Sequence, residues 1–161
     1  WRRVGEQEGQ VAIDALGSLA RHYQVKRDAD GLYQTFRRLN LLQPKDRDIA
    51  NNFAFYALLT GREQRQAERI ARENLAAAPQ NPAYLATCAF ALTQQNQPAD
   101  ALALLAPRAA EARQSPALGF AYGLALAGAG RKAEAKALLT NLPPGTLTLA
   151  EVELIKTALG N

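Results

Sequence analysis

An all-α array of repeated helical pairs is predicted by three features of this chain. Its apolar residues recur at helical rather than alternating spacing. Alanine and leucine dominate while β-branched residues are few, and one pattern returns every 34 residues. Ala67, Ala101 and Ala135 open similar stretches at that interval, Asn81-Pro82 and Ser115-Pro116 repeat with it, and so do Leu58, Leu92 and Leu126. A more divergent unit, one residue longer, runs ahead of these from Ile13 through Pro44. The units are therefore about 13–47, 48–81, 82–115 and 116–147.

Within each unit the pattern divides into two helices. In the second, Ile49, Phe53, Ala54, Ala57 and Leu58 form one apolar face, Gly61 interrupts, and Ala67, Ile70, Ala71 and Leu75 form the next. Pro79-Gln80-Asn81-Pro82 stops that helix and starts the following one, because proline suits a helix's first turn and not its interior. Asn96-Gln97-Pro98 makes the break in the third unit and Gly128-Ala129-Gly130 in the fourth. Thr148 and Glu151 have capping-box spacing and predict a final helix over about 148–159. Its stripe of Leu149, Val152, Ile155 and Leu159 is expected to cap the open side of the last unit. Trp1 to Val4 read as the tail of a preceding helix. The lack of methionine and the opening Trp1-Arg2-Arg3 predict a fragment of a longer chain.

Composition narrows the function classes. With 48% hydrophobic and 21% charged residues the chain matches globular usage, not disorder. No run approaches the roughly eighteen apolar residues of a membrane span. One cysteine, Cys88, and one histidine, His22, leave no internal disulfide, multi-thiolate or two-histidine metal motif within a single chain. The net charge of +4 is small and resides mostly in residues 1–47, where nine basic face six acidic side chains. Nucleic-acid binders concentrate such charge on one face, so it argues weakly for any partner.

The repeats resemble the tetratricopeptide family, a helix–turn–helix of 34 residues. The first unit matches with Leu16, Leu19-Ala20, Tyr23, Leu32, Phe36 and Pro44, and the second with Asn51, Ala54-Phe55, Leu58, Ala67, Ala71 and Pro79. Leu85, Cys88-Ala89, Leu92, Ala101 and Leu105 follow in the third, then Gly119, Tyr122-Gly123, Leu126, Ala135 and Leu139 in the fourth. Arg113 and Leu147 depart from the closing proline, and Gly119 from a large residue. The second and third units are most similar to C-terminal repeats of large bacterial proteins of this family. The resemblance implies a right-handed α-α superhelix, or solenoid, whose first helices line a concave groove that receives a peptide or helix.

On that geometry the groove positions are Asp14, Gly17 and Arg21, then Ile49, Asn52 and Tyr56, then Ala83, Ala86 and Phe90, then Ala117, Phe120 and Leu124. Arg21 and Asn52 alone match the residue types that clamp a terminal carboxylate, so an aromatic trough of Tyr56, Phe90, Phe120 and Leu124 is the expected contact surface. Arg62, Arg65, Arg69 and Arg72 line one stripe of a helix. They read as a solvated face with Glu68–Arg72 and Arg69–Glu73 pairs, or as a strip for an acidic partner. The scarcity of aromatics beside them disfavours single-stranded nucleic acid. Cys88 falls at a core position, His22 near a helix end, and Asp28 and Asp30 at a helix start. Gly128-Ala129-Gly130 lacks the strand context of a phosphate loop. These readings predict a non-catalytic protein-interaction module without cofactor or metal. The alternatives are a spacer or self-association domain whose groove is filled by a neighbouring domain or a second copy, and an accessory module serving an enzyme elsewhere in a parent chain. No residue assigns a compartment.

Overall fold

The computed structural model describes the backbone of residues 2–143 and 145–160, with side chains from residue 9 onward. Trp1 lies outside the described residues. The protein is all-α. Its helices are α1 (Arg2–Lys26), α2 (Ala29–Leu42), α3 (Arg47–Leu59), α4 (Gln64–Ala77), α5 (Pro82–Gln94), α6 (Pro98–Leu105), α7 (Pro116–Gly128), α8 (Lys132–Leu139) and α9 (Leu149–Leu159). There is no strand among the described residues. Each odd helix from α1 to α7 packs against the even helix that follows it, and α3, α5 and α7 also pack side by side.

The turns inside the pairs share one solution. Arg27, Gly61, Asn96 and Gly130 occupy the left-handed region, with φ of 56°, 70°, 59° and 79°. After each, the next amide reaches back to a carbonyl five residues earlier: Asp28 N to Tyr23 O, Arg62 N to Ala57 O, Gln97 N to Leu92 O, and Arg131 N to Leu126 O. This pairing satisfies carbonyls that a helix C-terminus otherwise leaves orphaned. Glycine adopts that backbone without strain, which is why Gly61 and Gly130 punctuate the sequence.

The turns between pairs use side-chain caps. Asp46 Oδ1 accepts from Asp48 N and Ile49 N, both at 3.0 Å. Asn81 Oδ1 accepts from Ala83 N at 2.9 Å and Ser115 Oγ from Leu118 N at 3.4 Å. Each side chain satisfies one or two exposed amides at the start of α3, α5 or α7. Neighbouring pairs are also tied by polar contacts. Tyr33 Oη donates to Glu63 Oε1 at 2.5 Å, and Tyr84 Oη donates to Asp48 Oδ1 at 2.8 Å.

Ala67, Ala101 and Ala135 are wholly buried, as are Ala54, Ala57, Ala89 and Ala125. Methyl groups at these positions let helices approach closely. Gly119, the departure noted in the fourth unit, follows the same logic. A Cβ there would collide with Leu142 and with the Ala112 carbonyl, so only glycine admits that approach.

Two local readings are corrected, and one helix is shorter than its repeat unit allows. Residues 2–26 form one unbroken helix, so Arg2 to Val4 belong to α1 and not to a preceding element. The second helix of the third unit ends at Leu105, and two short 3-10 turns, Ala106–Arg108 and Glu111–Arg113, replace its remainder, with Pro107 in the first. Arg72 does not pair with Glu68; its guanidinium donates to Gln95 Oε1 at 3.0 Å on the next pair.

Replacing the wholly buried Ala101 with Phe should overpack the α5–α6 contact and cost roughly 1–3 kcal/mol. Ala103→Gln, on the exposed side of the same helix, should change stability by about 0.5 kcal/mol or less. Chemical denaturation of both variants checks the register of α6.

Candidate functional site

Five aromatic rings join α2, α3, α5 and α7. Phe36 of α2 stacks on Tyr56 of α3 with centroids 5.7 Å apart. Phe55 meets Tyr56 edge-on at 5.1 Å and approaches Phe90 of α5 at 5.6 Å and Phe120 of α7 at 6.0 Å. Phe90 and Phe120 close the cluster at 5.4 Å. Offset and edge-on pairs of this kind contribute about 0.5–1.5 kcal/mol each beyond burial. The cluster marks the common face of α3, α5 and α7.

Helix α9 lies on this face. At its N-terminal end, Leu149 N donates to Arg27 O at 3.0 Å, and Arg27 Nε donates to Leu147 O at 2.6 Å. These bonds fix the start of α9 at the α1–α2 turn. Further along, Glu151 lies near enough to Tyr56 of α3 for its charge to act on the phenol. Leu154 and Ala158 then face Phe90, Thr93 and Gln94 of α5 and Leu124, Ala127 and Gly128 of α7 across a crevice of about 170 Å³. Gly160 ends beside Lys132 at the start of α8. At 1.5 Å per residue, the eleven residues of α9 span roughly 16 Å. The helix thus runs from the α1–α2 turn to the start of α8, packs mainly on α7 and α8, the last pair, and borders α5 through Leu154 and Ala158. Leu149, expected in its packing stripe, is 62% exposed; Val152, Ile155 and Leu159 are half-buried.

The trough residues are therefore not an open surface. Phe90 and Phe120 are 0% exposed, Leu124 is buried and Tyr56 is half-buried. A residue on the inner side of its helix is solvent-accessible only if nothing returns to cover it, and here α9 returns. Arg21 and Asn52 do not join the cluster through any hydrogen bond: the Arg21 guanidinium donates to Ser18 Oγ at 3.0 Å on its own helix, and Asn52 is half-buried on α3.

The arginine stripe is exposed, but Arg62 lies in the turn before α4 and not on the helix with Arg65, Arg69 and Arg72, and three of the four are engaged locally. Arg62 pairs with Asp30 of α2 and lies 5.0 Å from the centroid of the Tyr33 ring. Arg69 pairs with Glu73 at 3.0 Å, and Arg72 bonds Gln95 as above. Cys88 is buried, and burial pushes its thiol up, away from the reactive thiolate. His22 is exposed. Asp28 caps α2 by accepting from Gly31 N at 3.0 Å. Among the described residues no group of three or more His, Cys, Asp or Glu side chains converges on a point that could hold a metal ion. No helix described here is long and apolar enough to cross a membrane.

The groups with chemical character at this face are Glu151 and its neighbours. The Glu151 carboxylate accepts from Thr148 N at 2.6 Å and from Thr148 Oγ1 at 2.7 Å, while Glu151 N donates to Thr148 Oγ1 at 3.2 Å. This is a complete capping box, and both residues are buried. Burial pushes the carboxyl above its ordinary value of 4.5, against the Thr148 hydrogen bonds and the Arg27 charge, which lower it. Burial, then the Glu151 charge, drives the Tyr56 phenol far above its usual range. The arrangement holds polar groups in place beneath a helix. It does not assemble a nucleophile with a base. The sequence marks Thr148 and Glu151 as a cap, but nothing in it tells that the cap is buried.

In comparisons with protein-family models, curated proteins and solved structures, the chain matches none.

Two outcomes follow from this geometry. Phe90→Ala should cost about 3–5 kcal/mol, as for any large core truncation, whereas Arg65→Gln should cost almost nothing; urea denaturation separates the two. The second concerns pH. Because the Glu151 value is raised in the folded state, its contribution is whole below 4.5 and is lost as pH rises through the raised value. Glu151→Gln retains a capping acceptor and does not titrate. The stability of the wild type relative to Glu151→Gln should therefore fall as pH rises above about 4.5. A difference in thermal midpoint that grows with pH would show the Thr148 and Arg27 contacts outweighing burial.

Proposed function

We propose that this chain is a tetratricopeptide-like solenoid, a right-handed array of four helical pairs, acting as a non-catalytic protein-interaction module. The ligand is an amphipathic helix, bound on the face of α3, α5 and α7. The observation that carries this reading is α9: a short amphipathic helix seated on that face, meeting the apolar surface through Leu154 and Ala158. A surface that holds one such helix has the shape and polarity to hold another, by helix-in-groove recognition. The 34-residue recurrence and the four matching left-handed turns support the array.

The second reading, a spacer whose groove is permanently filled, draws on the same helix, since the occupant is supplied by the chain itself. A labelled peptide of residues 146–160 distinguishes them. Leu154→Asp places a charge at the apolar contact and weakens α9 in cis, so the peptide should bind this variant at least about tenfold more tightly than the wild type. Fluorescence anisotropy gives the comparison, with circular dichroism confirming that the variant keeps its helix content. A folded Leu154→Asp protein that ignores the peptide favours the spacer.

A further inference from the structure

We infer that α9 is an autoinhibitory latch: it undocks as a unit while α1 to α8 stay folded, and so gates the helix-binding face. The inference rests on the proposed function for what the freed face binds, but the undocking itself stands on the packing of α9.

The two sides of this contact are unequal. On the array, Phe90 and Phe120 are wholly buried and tied into the aromatic cluster with Phe55. On α9, Val152, Leu154, Ile155, Ala158 and Leu159 are all half-buried, and the one buried residue of the helix is a carboxylic acid, Glu151. The latch thus contributes no fully buried apolar side chain to the molecule. A crevice of about 170 Å³ remains between Leu154, Ala158 and the face beneath them, so the fit is incomplete. Its polar attachment is two hydrogen bonds between Arg27 and the residues at its start, while its capping box lies within the segment itself and is kept on release. Burial of Glu151 opposes docking. Segments with few buried apolar side chains open at lower free energy than the core they rest on. Release gives water to Glu151 and exposes the part of the face that Leu154 and Ala158 cover.

The occupant also defines its competitor. A partner that replaces α9 is a helix with a capping-box carboxylate and apolar residues one, three, four, seven and eight positions after it, the spacing of Val152, Leu154, Ile155, Ala158 and Leu159 after Glu151.

Native-state hydrogen exchange on the full chain tests the latch without any partner. Amides 153–159 should share one protection value at least about a hundredfold below that of α5 and α7. Arg27→Gly removes the clamp on Leu147 and suits the left-handed turn at that position, where φ is 56°. It should lower the shared value by a further tenfold or so and leave α5 and α7 unchanged. Protection of α9 equal to that of α5 and α7 overturns the latch, because the helix then opens only with the whole molecule. Protection that is graded, weakest at residue 159, overturns it too, since that is fraying from the end. An Arg27→Gly variant that shifts every helix alike counts against it in the same way. Silence of the 146–160 peptide, with uniform low protection in α9, removes the proposed partner and keeps the latch.

Discussion

Stacking helical pairs leaves an edge. Each pair covers the apolar face of its neighbour, but residues on the side shared by successive first helices need a cover from elsewhere. Here that side carries Phe90, Leu124 and Ala127, which border the same crevice as Leu154 and Ala158. The chain meets the need by reversing direction after α8 and laying α9 across the edge. Several features follow from this one requirement. Leu142 and Leu147 on the returning segment are buried. Gly119 lacks a side chain where Leu142 passes. The α1–α2 turn, more than a hundred residues earlier, supplies the anchor for the start of α9.

That anchor joins two unfavourable elements into a workable contact. Arg27 is a non-glycine residue in the left-handed region, a conformation that disfavours a side chain. Glu151 is a carboxylate taken out of water, which is costly unless its oxygens are bonded. The Arg27 side chain clamps Leu147 O, its backbone accepts from Leu149, and its charge partly offsets the desolvation of Glu151. Two hydrogen bonds from Thr148 supply the remainder. The site is therefore held by polar groups at one end and by apolar contact at the other, so the two ends respond to different perturbations. Acid relieves the Glu151 penalty, while a charge at Leu154 breaks only the apolar end.

The helices were legible in the sequence because their signals are local. Gly61, Asn96 and Gly130 sit at left-handed turns, and Pro82, Pro98 and Pro116 each stand in the first turn of a helix. Arg27 gave no such signal, since arginine is not a residue that favours positive φ. The shortening of α6 was written in Pro107, yet the repeat pattern continued past it. At the site, periodicity placed Tyr56, Phe90, Phe120 and Leu124 on the inner side of their helices, which is a statement about direction alone. Whether a residue that points inward is open to water depends on what lies opposite, and the covering element comes from Leu149–Leu159. No spacing rule links Leu154 to Phe90 across that distance in the chain. The capping box gave the start of α9 but not its address.

A tethered occupant sets a quantitative condition on any partner. The segment between Leu139 and Leu149 is short, and an occupant joined to its site by a short stretch of its own chain is held at an effective concentration on the order of millimolar. A free helix making only the contacts of α9 would have to approach that concentration to displace it, because the face is available only for the fraction of time that α9 is away. A partner present at lower concentration must therefore gain contacts that α9 does not make. The structure leaves room for them: Leu154 and Ala158 border a crevice against the α5–α7 face, and the α1–α2 end, where Leu149 is mostly exposed, opens into a cleft lined by Lys26, Arg27 and Arg62 together with Asp28 and Asp30. A helix longer than α9 at its N-terminal end would reach this cleft while larger apolar side chains fill the crevice. The imperfect fit of α9 is then what makes its exchange for a partner favourable, since an occupant that filled the face completely would leave a competitor nothing to gain.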